Sequence, residues 1–327
     1  MTSAALLSFL VRRLIQLLPV VLAIAVLNFV LVHLAPGDVA QLLAGQSGQA
    51  SAEFVQQLRH DFGLDRPLYV QFLLYIGRLL TFDLGYSYVQ QAPVLGLILD
   101  RLPATLLLMV SSIALAIAFG ILLGVTAARR YGTLVDNVIS VAALVAYATP
   151  VFWLGLVLIV LFSVDLGWLP PDGMTDTSRS ASGFAYALDV LRHLILPAVS
   201  LALFYVAVYT RLMRSSMLEI LGREFITAAR AKGLAERTIA WLHAAPNAIL
   251  PVITIAGVMF GNMLGGSILV ETVFGWPGLG RLIFDALLQR DLNLLLGILF
   301  VSSFVVVVAN LLVDLAYGLL DPRIVHK

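Results

Sequence analysis

Long apolar runs alternate with short clusters of charge along the whole chain. Six runs stand out, at about Leu14–Leu34, Pro103–Ala128, Leu134–Val164, Leu191–Met213, Ala248–Val270 and Asn293–Leu320. A helix needs about 20 apolar residues to cross the roughly 30 Å hydrocarbon core of a bilayer, and each run is long enough. The pattern therefore predicts an all-α, polytopic membrane protein with six transmembrane helices and no soluble domain appended at either end.

Between the first two runs, Ala35–Leu102 is too long for a simple connection and too patterned for disorder. Ser51 is placed to cap a helix with Phe54, Val55 and Leu58 on one face, and Pro67 opens a second amphipathic stretch through Leu80. Two short helices lying on the outer surface are expected. Pro170–Gly183, rich in Pro, Gly, Ser and Thr, reads as a loop. The organisation is thus residues 1–34 as an N-terminal end with the first span, 35–102 as an outer segment, and 103–327 as a five-helix core with a cytoplasmic loop at 214–247.

Composition sharpens this picture. Of the 327 residues 61% are hydrophobic and 12% charged, against roughly 25% charged in ordinary soluble domains. A net charge of +1 does not imply nucleic acid as a partner, and the absence of cysteine excludes disulfides, thiolate metal sites and thiol nucleophiles. The sign of charge matters loop by loop. With the N-terminus inside, Arg12, Arg13, Arg129, Arg130, Arg211, Arg214, Arg223, Arg230, Lys232, Arg237, Arg323 and Lys327 face the cytoplasm. Most acids, among them Asp38, Asp61, Asp83, Asp100, Asp172 and Glu271, then face outward, so both termini are placed in the cytoplasm. Arg12 and Arg13 precede an apolar stretch longer than the 7–15 residues of a cleavable signal, so a retained signal anchor is expected.

Gly257, Gly261 and Gly265 repeat every four residues in the fifth run, as Gly120 and Gly124 do in the second. In lipid such spacing lets helix backbones approach closely, and helix packing is their expected role. Polar residues inside spans are costly, which makes them candidates for function. Tyr147 and Thr149 before Pro150, and Thr254 with Asn262, are candidates for a translocation path. Asn28, His33, Asn310 and Asp314 also qualify. For His33 and Asp314, near span ends, structural anchoring is the preferred reading. Asn310 and Asp314, four apart, suit a contact between helices. Pro150 should break or kink its helix.

The one long cytoplasmic segment reads RSSMLEILGREFITAARAKGLAERTIAWLHAAPN, Arg214–Asn247. Phe225–Ala231 holds strong helix formers, Glu224 suits a helix start, and Gly233 after Lys232 suits a stop. Such a short helix is a natural knob for a soluble partner's socket. An ordinary basic loop attracted to anionic lipid has the same composition.

The spacing of Ala228, Ala229, Gly233 and Pro246 resembles the EAA loop of ABC importer permeases, with Thr227 where that loop carries glutamate and Ala245 where leucine precedes the proline. ILVETVFGWPGLGRLIFDALLQRD, Ile268–Asp291, and ANLLVDLAYGLLDPRI, Ala309–Ile324, closely resemble the C-terminal half of dipeptide and oligopeptide permeases of that class. Arg12 with Arg13, APGD at Ala35–Asp38 and FGLDRP at Phe62–Pro67 resemble their beginning. The resemblance implies the type I importer permease fold in a bacterial inner membrane. It implies a permease moving di- or oligopeptides from periplasm to cytoplasm by alternating access. A nickel permease of the same family is the near alternative. Glu224, Phe225, Thr227, Ala228, Ala229, Arg230, Lys232 and Gly233 would form the coupling helix, small at Ala228 and Ala229 so that a partner's backbone comes close. Arg230 and Lys232 could pair with acids on that partner, although charges at a rim contribute little beside contact by shape. The implied partners are a second related permease, two cytoplasmic ATPases, a binding protein outside, and membrane lipid.

The chain carries no G-x-x-x-x-G-K-[ST] phosphate loop. It is expected to be no enzyme and to hold no cofactor, with ATP and magnesium used by the partner ATPases. A secondary transporter or channel predicts charged relays at mid-membrane and repeats, which the runs lack. An intramembrane enzyme would need a nucleophile with its base, or metal ligands, and the five histidines show no ligand spacing.

Overall fold

The computed structural model describes residues 19, 21–30, 33, 44, 51–61, 65–176 and 182–320, with the side chains at 58, 61 and 313–320 left aside. APGD, the start of FGLDRP, the Asp314 side chain and both chain ends, with most of the run at 14–34, lie outside that set. Apart from one two-residue antiparallel pairing, its elements are helical. They are α1 (Val21–Val30), α2 (Ala52–Asp61), α3 (Leu68–Leu80), β1 (Tyr86–Ser87) paired with β2 (Ala92–Pro93), α4 (Val94–Arg129), α5 (Leu134–Ala148) and α6 (Val151–Ile159). There follow α7 (Phe184–Leu221), α8 (Glu224–Ala231), α9 (Glu236–Thr238), α10 (Ala245–Ala248), α11 (Leu250–Val273), α12 (Leu279–Leu288) and α13 (Leu292–Leu320).

Among the described residues, four helices are long and apolar enough to cross a membrane: α4, α7, α11 and residues 292–312 of α13. A fifth candidate is the bent pair Leu134–Ala148 and Val151–Asp165, which turns through 103° at Thr149 and Pro150. The sequence reading made this run one span with a break at Pro150. The ring closes off the α region for Thr149, which is extended at φ −81 and ψ 128, and the helix axis changes direction there. Pro103 and Pro197, by contrast, lie inside unbroken helices.

Two helices reach well beyond the apolar runs: α4 begins at Val94 where the run begins at about Pro103, and α7 covers Phe184–Leu221 where the run covers about Leu191–Met213. In each case about two more helical turns extend the apolar run. Val94 and Ile98 are buried while Asp100 and Arg101 are exposed, so helical periodicity continues where hydropathy fails.

The described residues divide into two compact units, those up to Pro103 with Leu282–Val308, and Ala104–Arg281 with those from 309 to 320. In the second, α7 packs against α5, α6 and α11, with Tyr209, Met213, Met217, Phe274 and Trp276 fully buried. The packing of α4 on α7 depends on glycine. A Cβ at Gly120 would lie 2.5 Å from Tyr209 Cβ, and one at Gly124 would lie 2.8 Å from the Thr210 carbonyl oxygen. The packing role read for Gly120 and Gly124 is thereby placed. In α11 the repeat divides: Gly257 is buried, Gly261 half-buried, and Gly265 exposed with nothing among the described residues within 4 Å of its missing Cβ. Among the described residues, Gly265 therefore packs against no helix.

In the first unit, Asn28 is buried and donates to the Leu296 carbonyl at 3.3 Å, which ties α1 to α13. His33 bonds the Phe29 carbonyl at 2.8 Å and Gln71 Oε1 at 3.0 Å, an anchoring contact between α1 and α3. Asp291, also buried, accepts from Leu294 N–H at 3.1 Å and from the Ser87 hydroxyl, and so caps α13 while holding the β1 turn to it.

Candidate functional site

The segment between α7 and α11 is built as a short rigid knob. Gly222 ends α7, Arg223 pairs with Glu219 across the last turn, and extended backbone at Arg223 lets α8 set off in a new direction. The helix is amphipathic. Ile226 and Ala229 are buried against the chain's own core, while Phe225 is 47% exposed and Thr227, Ala228, Arg230 and Lys232 face outward. Ala229 therefore owes its small size to intrachain packing, and Ala228 alone of the pair is open to a partner.

The stop is conformational. Gly233 has φ +77 with nothing within 4 Å of a Cβ position, so only the left-handed backbone requires glycine there. Gly233 N–H reaches the Arg230 carbonyl at 2.9 Å and Lys232 N–H that of Ala228 at 3.1 Å. Arg230 has a partner within the chain. Its Nε donates to Glu236 Oε1 at 2.7 Å and closes the turn from α8 to α9. That bond lowers the Glu236 pKa and raises that of Arg230. Beyond α9, a wide π-helical turn at Ile239–Ala244 buries Ile239, Ala240 and Ala244 as the floor on which α8 rests.

A half-buried ion pair fixes the end of α7, from which α8 departs, to α5. Arg214 donates from Nε to Asp136 Oδ1 at 2.6 Å and from its terminal nitrogen to Oδ2 at 2.8 Å, and Asp136 also accepts Gly132 N–H at 3.1 Å. A bidentate guanidinium–carboxylate pair holds angle as well as distance, so α5 and the last turns of α7 share one geometry.

Tyr147 and Thr149 sit together at the α5–α6 bend. Tyr147 stacks on Phe204 with centroids 5.0 Å apart, and the Arg211 guanidinium lies 4.6 Å over its ring. Thr149 spends its hydroxyl on the Val145 carbonyl at 2.7 Å. Thr254, Val258, Asn262, Gly265 and Leu269 form one exposed stripe along α11, Thr254 donating to Leu250 O at 3.0 Å. Asn310 is exposed on α13.

Sequence reasoning missed Glu271 and counted it among outward-facing acids. It is fully buried. Thr105 donates to its Oε1 at 2.7 Å, and Gly280 N–H and Arg281 N–H to its Oε2 at 2.6 and 3.1 Å. Trp276 Nε1 meanwhile donates to the Ala104 carbonyl at 2.9 Å. The carboxylate thus caps α12 and joins α11 to α4, and a Cβ at Gly280 would lie 2.5 Å from Ile268 Cα. The available signal was a lone glutamate at the end of an apolar run, followed within ten residues by PGLG.

Residues 120–326 match the family described as binding-protein-dependent transport system inner membrane component, and residues 6–109 match its N-terminal companion. The di/tripeptide transport system permease protein DppB of Pseudomonas aeruginosa is 40% identical, covering 98% of this chain and 99% of that protein. The dipeptide transport system permease protein DppB of Escherichia coli K12 is 40% identical, at the same coverage. The oligopeptide transport system permease protein AppB of Bacillus subtilis is 41% identical over 97% of this chain and 99% of its own. A chain of the inward-facing MetNI methionine ABC transporter shares the fold, with a TM-score of 0.57 at 18% identity over 70% of this chain and 98% of that one.

Proposed function

This chain belongs to the family of binding-protein-dependent transport system inner membrane components, and from that membership we propose that it is the permease of an importer whose cargo is di- or oligopeptides. The cargo follows the names of the relatives aligned over nearly the whole chain. The observation that carries the mechanism is the exposed ridge of α8, with Phe225, Thr227 and Ala228 outward, on a base buried in the chain's own core. A partner that pushes this ridge moves the base with it, because Ile226 and Ala229 leave α8 no room to slide.

In this reading Glu224–Gly233 is the coupling element, seated in a cleft of a cytoplasmic ATPase. Phe225 is the apolar anchor, and Lys232 lies at the rim, where a charge contributes little. Two such ATPases use ATP and magnesium, a second related permease completes the pathway, and a binding protein delivers the peptide. The path runs past Tyr147 and Thr149 at the bend and along the Thr254–Asn262 stripe. The outer segment 35–102 supplies the surface on which the binding protein docks, and replacing α2 by a flexible linker lowers stimulation by that protein while basal ATP hydrolysis persists.

The decisive experiment expresses the chain with its genomic neighbours, copurifies the complex and measures ATP hydrolysis in liposomes, with and without Gly233→Pro. Copurification of ATPase subunits, with loss of binding-protein stimulation in the variant, supports the reading. A chain that purifies alone and transports without ATP overturns it.

A further inference from the structure

The helix α3 is apolar on both sides. Its inner side meets α1, with Phe72 and Tyr75 at centroid distances of 5.2 and 6.0 Å from Phe29. Its outer side is bare: Leu68 is 62% exposed, Tyr69 69%, Leu73 65% and Leu80 78%. Tyr69, Leu73 and Leu80 lie within a narrow arc of a helix turning 100° per residue. From Leu68 to Leu80 the one charged residue is Arg78, while Asp65 and Arg66 stand just before the helix and Asp83 just after it. The neighbouring α2 is the opposite case, with Glu53, Gln56, Gln57, Arg59 and His60 all exposed.

What covers the outer side of α3 follows from what its inner side touches. Phe29 belongs to the apolar helix α1. At the other end of α3, Phe82 packs edge-on against Phe304 with centroids 5.8 Å apart, and Phe304 lies twelve residues into the membrane-crossing stretch of α13. The middle of α3 is therefore moored to one apolar helix and the turn after its end to another, and its outer side continues their apolar surface. We propose that α3 lies in the outer leaflet with Leu68, Tyr69, Leu73 and Leu80 immersed in lipid and the charges at its ends in the headgroup layer. An apolar helix of this length flanked by charge is suited to the interface and too short to span. A soluble binding protein that docks and leaves would strand this face in water between cycles, whereas lipid covers it throughout. The polar helix α2 is left as the part of the outer segment open to a soluble partner.

The chain has no cysteine, so single cysteines for a nitroxide label can be placed in the full chain within the assembled complex in lipid nanodiscs. Leu73→Cys and Tyr69→Cys test the face. Gln56→Cys on α2 is the aqueous reference, and Leu22→Cys, 51% exposed on α1, the lipid reference. Power saturation with oxygen and with a water-soluble nickel chelate is read at each site, before and after adding binding protein. Labels at 69 and 73 are expected to follow 22, collisions with oxygen exceeding those with nickel, unchanged by the binding protein. Nickel accessibility equal to that at 56 would place the face in water and overturn the proposal. Shielding from both agents would place it under protein and do the same, whether the shielding is constant or appears on docking.

Discussion

At the scale of single residues, the decisive groups are those whose geometry admits no substitute. Gly233 holds a left-handed backbone that costs other residues about 1 kcal/mol or more. Gly233→Ala is expected to retain assembly with reduced coupling, read as a lower ratio of stimulated to basal ATP hydrolysis, and Gly233→Pro to abolish the stimulation. Glu271 satisfies a hydroxyl and two backbone N–H groups in a site closed to water. Glu271→Ala leaves these donors unpaired, a loss of about 3 kcal/mol or more at roughly 1–3 kcal/mol per buried group. Glu271→Gln, which keeps one acceptor oxygen, is expected to lose less, and thermal unfolding in detergent ranks the two. The Arg230–Glu236 bridge is exposed, so its contribution is at most about 1 kcal/mol. Its pH dependence has a definite sign. The folded Glu236 carboxyl titrates below its unfolded value, so the contribution is complete above the unfolded pKa and disappears as pH falls through the folded one. Glu236→Gln should remove that acid limb and leave stability at neutral pH nearly unchanged.

At the scale of elements, the bend between α5 and α6 is set by one proline. Removing its ring frees Thr149 to become helical and lets the two helices join. A straight helix would place residues 138 and 160 about 33 Å apart at a rise of 1.5 Å per residue. Spin labels at the exposed Val138 and Val160 are expected to move toward that separation in Pro150→Ala, and transport to fall with it. An unchanged distance would show that packing on α7, not the proline, sets the bend. Replacing Gly120 or Gly124 by leucine should separate α4 from α7 and lower the yield of folded chain, because the obstructing atoms include backbone that cannot swing aside.

At the scale of the whole molecule, the coupling proposed for α8 depends on what its base is fixed to. In α8 the outward ridge is presented on a floor belonging to the second compact unit, and Asp136 with Arg214 ties the last turns of α7, which lead into α8, to α5. Asp136→Asn should therefore weaken coupling more than assembly. ATPase subunits are expected to copurify as with the unsubstituted chain, while binding-protein stimulation drops severalfold, as expected when one partner of a charge-assisted bidentate pair is lost.

Hydropathy by itself determined the class of molecule and the approximate place of the spans found among the described residues, because water and lipid act on every residue independently of its distant neighbours, and the proline ring by itself determined the break at Pro150. The sequence of Phe225–Gly233 likewise determined a short helix and its stop, since capping and left-handed backbone are local matters. Only the tertiary structure decided that Ala229 faces inward, that Arg230 meets Glu236, that Gly265 packs on nothing among the described residues, and that Glu271 is a buried cap. Each of these depends on what another segment brings to the same place. An arginine, a glycine or a glutamate reads the same in a sequence whether a partner six or a hundred and sixty-six residues away meets it or leaves it to solvent.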